Sequence, residues 1–192
     1  KAHALEVHGA RAFTDPAVAV RGAGLVHLTL SDDAAVDDVL ELARPGFGDT
    51  TVVVDHTTTS PAATAARAAR WAERGVSFQH APVFMGPQNA LDGTGFMLLS
   101  GDRARYDALE PVLAPMTGRV VYFGPKPERA AGMKLLGNLF LISMVAGLTD
   151  VLTLAKSLHI PPGDAAALFG VFNPGAAAAA RLKHMLDADF AH

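Results

Sequence analysis

The sequence predicts an α/β fold, in which a mainly parallel sheet is followed by one long helix and the start of an all-α segment. Short apolar, β-branched runs alternate with amphipathic helical segments as far as residue 123. Strands that alternate with helices of this length favour βαβ units and a parallel sheet. After residues 124–125 (Gly-Pro) only helical patterns remain, and the longest of them, residues 128–157, contains no proline.

Size and charge exclude several classes of protein. The 192 residues can bury a sizeable core, and the formal net charge of -3 gives no reason to expect nucleic acid or an anionic membrane surface as a partner. The absence of cysteine excludes disulfides and cysteine-based metal sites. The longest uncharged apolar run, residues 135–149, is shorter than the roughly 20 residues that span a bilayer. We therefore expect a soluble, cytoplasmic protein.

Helix-starting and helix-ending residues separate the segments of the first 125 residues. Residues 31–33 (Ser-Asp-Asp) can cap the helix that follows them, and residues 45–46 (Pro-Gly) end it. Residues 50–56 form a β-branched run, which is typical of a strand covered on both faces. Gly75 closes the alanine-rich helix that follows.

These signals divide the first 125 residues into strands and helices. The predicted strands are residues 10–13, 25–30, 50–56, 76–83, 96–99 and 119–123. The predicted helices are residues 1–8, 16–20, 34–43, 62–74 and 102–116, with a loop at 86–93. Because their apolar content alternates with helices, we expect the strands at 25–30, 51–54, 76–82 and 119–123 to lie in one mainly parallel sheet.

The change of pattern near residue 125 predicts two domains. Residues 1–125 would form the sheet domain, and residues 126–192 the long helix and the beginning of an all-α domain. Two further helices, residues 163–172 and 174–186, are predicted after the long one. The apolar residues of the long helix cover most of its circumference. We therefore expect that its burial requires more protein than the helical segments of this chain supply.

Lys134 and Asn138 stand out on the long helix. They lie four residues apart and share one face of an otherwise apolar segment. An apolar setting disfavours the charged form of a lysine and lowers its pKa, so such a lysine can act as an acid or base near neutral pH. The alternative is a lysine whose ammonium reaches water from a half-buried helix.

The turns after the strands are the other candidate sites, because ligands of open parallel sheets bind beyond the carboxyl ends of the strands. Residues 30–32 and 56–59 offer hydroxyl groups and helix N-termini that could hold a ribose or an anion. The same side chains could serve as helix caps alone. The Gly-x-Gly-x-x-Gly fingerprint is absent, and the acidic pairs at residues 32–33 and 37–38 are predicted to lie on a solvent face.

Four short motifs follow one another along the chain: Leu30-Ser31, Asp55-x-Thr57-Thr58-x-x-Pro61, the loop HAPVFMG at residues 80–86, and Lys134-x-x-x-Asn138. In order and approximate spacing they resemble the motifs of the β-hydroxyacid dehydrogenase family, which is 3-hydroxyisobutyrate dehydrogenase-like and part of the 6-phosphogluconate dehydrogenase superfamily. That family has Leu-Pro, Asp-x-Ser-Thr-x-x-Pro, Asp-Ala-Pro-Val-Ser-Gly-Gly and Lys-x-x-x-Asn at these places.

The resemblance implies a Rossmann-like fold and hydride transfer between NAD or NADP and a 3-hydroxy acid or the corresponding aldehyde acid. Lys134 would be the catalytic acid or base, and Asn138 would help to place the substrate. The other site residues that the resemblance implies are Phe84, Met85 and Gly86 for the substrate and Leu30, Ser31 and Thr58 for the cofactor.

This sequence departs from the family in ways that leave the substrate open. Phe84 and Met85 stand where the family has a serine and a glycine, which removes a hydroxyl and adds bulk. By the resemblance, the sheet is incomplete: the glycine-rich βαβ unit would precede residue 1, and further helices would follow residue 192. An imine reductase-like enzyme, or a scaffold of the same fold without catalysis, are the alternatives. The resemblance also implies a homodimer or a higher homo-oligomer.

Overall fold

The computed structural model describes residues 2–187, which contain six strands and eight α-helices. The strands are β1 Leu25–Leu28, β2 Val52–Asp55, β3 Ser77–His80, β4 Val83–Phe84, β5 Phe96–Leu99 and β6 Arg119–Tyr122. The helices are α1 Pro16–Ala19, α2 Asp33–Ala43, α3 Pro61–Glu73, α4 Pro87–Asp92, α5 Arg103–Leu113, α6 Arg129–Ser157, α7 Pro162–Val171 and α8 Pro174–Leu186. The α/β fold class is confirmed, although the strand predicted at residues 10–13 does not form.

The strands form two ladders instead of the single sheet that the sequence predicts, so that prediction is wrong. β1, β2 and β3 pair in parallel in that order. β5 pairs with β4 in antiparallel and with β6 in parallel orientation. The run predicted as one strand, residues 76–83, is therefore split between the ladders, and the strand at residues 119–123 belongs to the second.

Pro82 explains the split. Because proline has no N–H group, the chain cannot continue as a regular ladder strand past β3. The buried side chain of Gln79 substitutes for backbone pairing: its Nε2 donates to the carbonyl oxygens of His80, at 2.8 Å, and of Ser100, at 3.0 Å. The Leu98 N–H donates to the Pro82 carbonyl at 2.9 Å. The two ladders are thus joined by side-chain and isolated backbone hydrogen bonds.

Two apolar clusters bury the faces of the ladders. One face of the first ladder packs against α2 and α3 through Val26, Leu28, Val53, Leu40 and Trp71. The second cluster joins the ladders and α5, and its buried members are Val54, Ala81, Met97, Leu99, Leu109 and Leu113. Alternation of side chains along the strands separates the two faces.

Arg67 on α3 is fully buried and pairs with two carboxylates of α2. Its Nε donates to Asp37 at 2.7 Å and its Nη2 to Asp33 at 2.9 Å. Arg70 also pairs with Asp37, and Arg74 with Glu41. The prediction that the acidic pairs of α2 lie on a solvent face is therefore wrong for Asp33 and Asp37, which hold α2 against α3.

The loop predicted at residues 86–93 contains α4. Pro87 occupies the first turn, and Gly93 ends the helix in the left-handed conformation with a φ of 60°. The side chain of Asn89 accepts the Gly86 N–H at 2.9 Å. Proline at the start and glycine just past the end are the usual boundaries of a helix, so this element was readable from the sequence.

The start of α6 is fixed to the end of β5 by Ser100. Its Oγ donates to the Pro127 carbonyl at 3.0 Å and accepts the Ala130 N–H at 2.9 Å. Ala130 and Ala131 are buried at this point. This anchor determines where the following turns of α6, including Lys134, lie relative to β4 and β5.

The described chain forms two compact units, Lys1–Asn138 and Leu139–His192, and the division falls within α6. The predicted domains of residues 1–125 and 126–192 stay a prediction. In the second unit, His159 follows the end of α6 with a φ of 59°, and the Ile160 N–H is bonded to the Ala155 carbonyl at 2.9 Å. This is the geometry of a Schellman cap, with histidine where glycine is commonest.

Most large apolar side chains of α6 are exposed within this chain. Leu136, Leu139, Phe140, Ile142 and Leu154 are each at least 60% exposed. By length and composition alone α6 could also cross a membrane, a property that the core helix of a soluble protein shares. The expectation that this chain does not supply enough protein to bury the helix is confirmed.

The Arg67 network predicts the effect of removing one charge. We expect Asp37→Asn to lower the free energy of unfolding by about 1–3 kcal/mol, because Arg67 is buried and its Nη1 already lacks a hydrogen-bond partner among the described residues. The measurement is urea unfolding near pH 7. The adjacent Asp38→Asn is the matched control, because Asp38 is exposed.

The loss of stability in Asp37→Asn should depend on pH. Burial raises the pKa of Asp37, but the hydrogen bonds and charges of Arg67 and Arg70 outweigh it and hold the pKa below 3.8. The stabilisation is therefore present above pH 3.8 and is lost as the pH falls through the pKa of the folded state. The difference between wild type and Asp37→Asn should shrink there, and a constant difference would contradict this assignment.

Candidate active site

Lys134 lies over the aromatic ring of Phe84 on β4, with 4.0 Å between its Nζ and the ring centroid. The lysine is half-buried, and desolvation by this burial lowers its pKa below 10.5. Among residues 2–187 no carboxylate forms an ion pair with it that would oppose the shift. The site thus holds an amine that gives up its proton more easily than an exposed lysine does.

Gly137 makes the contact between Phe84 and α6 possible. A Cβ atom at this position would lie 2.3 Å from Cζ and 2.9 Å from Cε1 of Phe84. Such distances do not occur between unbonded carbon atoms, so the ring occupies space that only a glycine leaves free. The ring therefore packs on the surface of α6, one turn from the backbone of Lys134.

An open cavity of about 450 Å³ lies beside the substrate loop predicted at residues 80–86. Its wall is mainly apolar and includes Met85, Gly86, Met97 and Met116, with Thr29 and His56 as polar members. This volume falls within the usual range for small-molecule sites, which have apolar walls and a few polar groups. Two predicted substrate residues, Met85 and Gly86, are thus brought to a cavity of suitable size.

The turns after β1 and β2 are bonded to each other. The Leu30 N–H donates to Thr57 Oγ1 at 3.0 Å, and the Thr57 N–H donates to Asp55 Oδ1 at 3.0 Å. Thr57 and Asp55 are buried, whereas Ser31 and Thr58 are exposed at this edge. The predicted cofactor residues Leu30, Ser31 and Thr58 therefore lie on adjacent turns.

The N-terminus of α2 does not suit a phosphate group. Asp32 caps it by accepting the Ala35 N–H at 2.9 Å, and Ser31 Oγ donates to Asp32 at 2.8 Å. The Asp33 carboxylate accepts the Ser60 N–H in front of α3. These two carboxylates would repel an anion, so this edge fits an uncharged ring or a ribose.

His56, which lines the cavity, forms a stacked pair with His27. Nδ1 of His27 lies 2.9 Å from Nε2 of His56, and the rings are 5.2 Å apart at 12°. His56 Nδ1 lies 2.7 Å from the Ala81 carbonyl, which can only accept. His56 therefore carries its proton on Nδ1 and accepts a hydrogen bond from His27 on Nε2. Burial lowers the pKa of both histidines, so the pair is neutral near pH 7.

His80 has a different partner. Its Nδ1 lies 3.4 Å from Asp55 Oδ2, and its Nε2 lies 3.5 Å from the hydroxyl of Thr59. All three side chains are buried. His56, which follows β2, and His80, which ends β3, do not hydrogen-bond to each other, and the Asp55–His80 pair supports the turn after β2.

Thr29, His27 and His56 were not predicted to be neighbours. The signal was the alternation of side chains: Leu25, His27 and Thr29 point to one face of β1 and its continuation, and Val54 and His56 to the same face of β2. The last predicted residue, Asn138, is half-buried on α6.

Comparison with known sequences gives matches over most of the chain. The NAD binding domain of 6-phosphogluconate dehydrogenase matches residues 1–124. An NADH-dependent oxidoreductase of Aspergillus ustus is 29% identical over 142 residues, which are 74% of this chain and 47% of that protein. A 2-(hydroxymethyl)glutarate dehydrogenase of Eubacterium barkeri is 28% identical over 140 residues, 73% of this chain and 44% of that protein. This chain spans about half the length of these relatives.

Solved structures share the fold. An imine reductase of Streptomyces aurantiacus superposes with a TM-score of 0.85 at 27% identity, covering 97% of this chain and 65% of that one. Other structures with this fold were solved with NADP+ and with NAD+.

The histidine pair predicts a dependence of stability on pH. Because the pKa values of His27 and His56 are lowered from 6.5, the unfolded chain binds more protons than the folded one below that pH. Stability that is present above pH 6.5 is therefore lost as the pH falls through the folded pKa values. We expect acidification from about pH 7.5 to 5.5 to lower the melting temperature by a few degrees, and His56→Gln to flatten that dependence.

The control for this measurement is His8→Gln, which changes an exposed histidine outside the cavity. It should keep the wild-type dependence on pH. Equal slopes in wild type and His56→Gln would show that the pair is not the source of the acid sensitivity.

Proposed function

The chain belongs to the family of the NAD binding domain of 6-phosphogluconate dehydrogenase, and from that membership we propose a hydride transfer between nicotinamide and a 3-hydroxy acid or the corresponding aldehyde acid. The observation that carries the proposal is the half-buried amine of Lys134, whose pKa burial lowers and which lies over the ring of Phe84 in the predicted substrate loop. The relatives are oxidoreductases and dehydrogenases, the matching family model is an NAD binding domain, and structures with this fold were solved with NADP+ or NAD+.

The residues at the sheet edge fit one end of such a cofactor. The cavity beside Thr29, His56 and Met85 is wide enough for a flat ring and has few polar groups. Leu30, Ser31 and Thr58 would lie beside the nicotinamide and its ribose. Asp32 and Asp33 at the start of α2 would repel phosphate groups, so we expect the phosphates of the cofactor to lie away from this edge.

In the proposed mechanism Lys134 handles the proton. A bound nicotinamide supplies or removes a hydride at the substrate carbon. During oxidation the neutral amine of Lys134 takes the proton from the substrate hydroxyl, and during reduction its ammonium returns a proton to the carbonyl oxygen. Burial favours the neutral amine that oxidation needs. Asn138, one turn further along α6, would donate or accept a hydrogen bond that orients the substrate.

A second candidate is the reduction of imines. The similarity to a solved imine reductase over 97% of this chain favours it, together with the loop in which Phe84 and Met85 offer bulk and no hydroxyl. Lys134 favours the first candidate, because an amine with a lowered pKa suits proton exchange with a hydroxyl group. Rates of the full-length protein with a 3-hydroxy acid and with a cyclic imine would distinguish the two.

Replacement of Lys134 tests the first candidate. We expect Lys134→Ala to lower turnover of a 3-hydroxy acid by about 10²- to 10⁴-fold, the usual contribution of a general acid or base. Cofactor affinity, measured by the fluorescence of bound NADH or NADPH, should remain nearly unchanged.

The matched control is Lys156→Ala, which removes an exposed lysine from the same helix. It should leave both turnover and cofactor affinity intact. Equal losses of turnover and affinity in Lys134→Ala would indicate a folding defect, and unchanged turnover would rule out the catalytic role.

The exposed apolar surface of α6 supports a homo-oligomer. Each leucine or phenylalanine left in water forfeits about 1.5–3 kcal/mol of burial, and several together approach the whole stability of an ordinary domain. Leu139, Phe140, Ile142 and Val145 are all more than half exposed. A second copy would cover such a helix in a soluble, cytoplasmic protein, as would further helices of the same chain.

Sedimentation tests this proposal. We expect the full-length protein at micromolar concentration to sediment as a dimer or a higher oligomer, because much of the apolar surface of α6 is not covered within this chain. Ile142→Glu, at a side chain 67% exposed, should weaken the association. A monomer that keeps a cooperative unfolding transition would contradict the oligomer.

A further inference from the structure

We propose that Phe84 is a positioning residue for Lys134: its ring holds the ammonium group in place through a cation–π contact, and Gly137 leaves the space that the ring requires. The inference rests on the proposed role of Lys134 as acid and base. It assigns a task to Phe84, where the resembling family has a serine, and to a glycine in the middle of a long helix.

The geometry supports an electrostatic contact. The Nζ of Lys134 lies 4.0 Å from the centroid of the Phe84 ring, well inside the roughly 6 Å limit of cation–π attraction. No carboxylate among residues 2–187 forms an ion pair with Lys134, and burial alone accounts for its lowered pKa. Within the described structure, the aromatic ring of Phe84 is therefore the group that stabilises the charge of Lys134.

Gly137 fixes the position of the Phe84 ring on the surface of α6. Glycine in a helix interior is less favourable than alanine by about 1 kcal/mol, and at position 137, unlike position 147, an added Cβ would meet a neighbouring side chain. The Phe84 ring fills the position of the missing Cβ, which would lie 2.3 Å from the ring. The ring is thus held against the backbone one turn from Lys134, and the long, flexible lysine side chain loses freedom over it.

The consequence for catalysis is a balance of two effects on one amine. Burial disfavours the ammonium, and the face of the aromatic ring favours it. A lysine under both influences remains able to hold a proton for reduction and to release it for oxidation. Its position is also defined before the substrate binds, which reduces the entropy that must be lost on reaching the reactive geometry.

The test measures the reactivity of each lysine without cofactor or substrate. Trace labelling of the full-length protein with acetic anhydride between about pH 7 and 10.5, read by mass spectrometry, gives the pH of half-maximal reactivity of Lys134. Lys126 and Lys156 are exposed and serve as references within the same sample. The variants are Phe84→Leu, which keeps apolar bulk but removes the aromatic face, and Gly137→Ala, which displaces the ring.

Phe84→Leu should shift the half-reactivity of Lys134 to lower pH and raise its labelling rate near pH 8 about two- to fivefold, because the charged form loses the ring. Gly137→Ala should shift it in the same direction. Gly147→Ala is the matched control on the same helix, because a Cβ at position 147 has no neighbour within 4 Å. It gains the same helix propensity and should leave Lys134 unchanged.

The outcomes separate the inference from the function on which it rests. An unchanged or raised half-reactivity pH in Phe84→Leu, or an equal shift in Gly147→Ala, would overturn the role of the ring. A lower pH of half-maximal labelling of Lys134 in Phe84→Leu supports the inference even if Gly137→Ala does not fold. If the shift occurs while Lys134→Ala keeps full turnover, the contact exists but the catalytic proposal fails.

The pH–rate profiles of the same variants give a second test in an active enzyme. The limb of the pH–rate profile that belongs to Lys134 should move by the amount that labelling shows, whereas a merely structural effect would lower the rate at every pH. A uniform loss without movement of the limb would contradict the inference.

Discussion

A chain of buried hydrogen bonds that begins at Gln79 holds the candidate site together. The Gln79 amide bridges β3 to the Ser100 carbonyl of the second ladder, and the Ser100 hydroxyl bonds to Pro127 and Ala130 at the start of α6. Gln79, Ser100 and Ala130 are buried, so loss of one partner would cost about 1–3 kcal/mol. The register of α6, and with it the position of Lys134 over β4, depends on this chain of bonds.

The site combines rigid and adaptable parts. The turns after β1 and β2 are fixed by hydrogen bonds of the buried residues Thr57 and Asp55. The cavity wall, in contrast, contains Met85, Met97 and Met116, whose unbranched side chains can change shape around a ligand. Under the proposed function, the rigid turns would hold the cofactor and the methionines would adapt to the substrate.

The sequence predicted what depends on local pattern. Strand β5 was found at its observed bounds, residues 96–99, and α6 within one residue, because apolar periodicity and flanking turns define them. The break between the ladders at Pro82 was missed, since Val83 and Phe84 continue an apolar run that looks like one strand. The contact of Phe84 with Gly137 joins residues far apart in sequence, and no local rule indicates it. The pairing of Arg67 with Asp37 was missed for the same reason.

The division of the strands into two ladders has a consequence for how the first unit forms. Each ladder closes over its own continuous stretch of chain, residues 25–80 for one and 83–122 for the other. The mean sequence separation of the pairing residues is therefore smaller than in a single sheet that interleaves the two stretches, and a lower contact order favours faster folding. The strands of each ladder can therefore pair before the buried amide of Gln79 joins the two ladders, whereas the apolar cluster that they share is complete only when both are present.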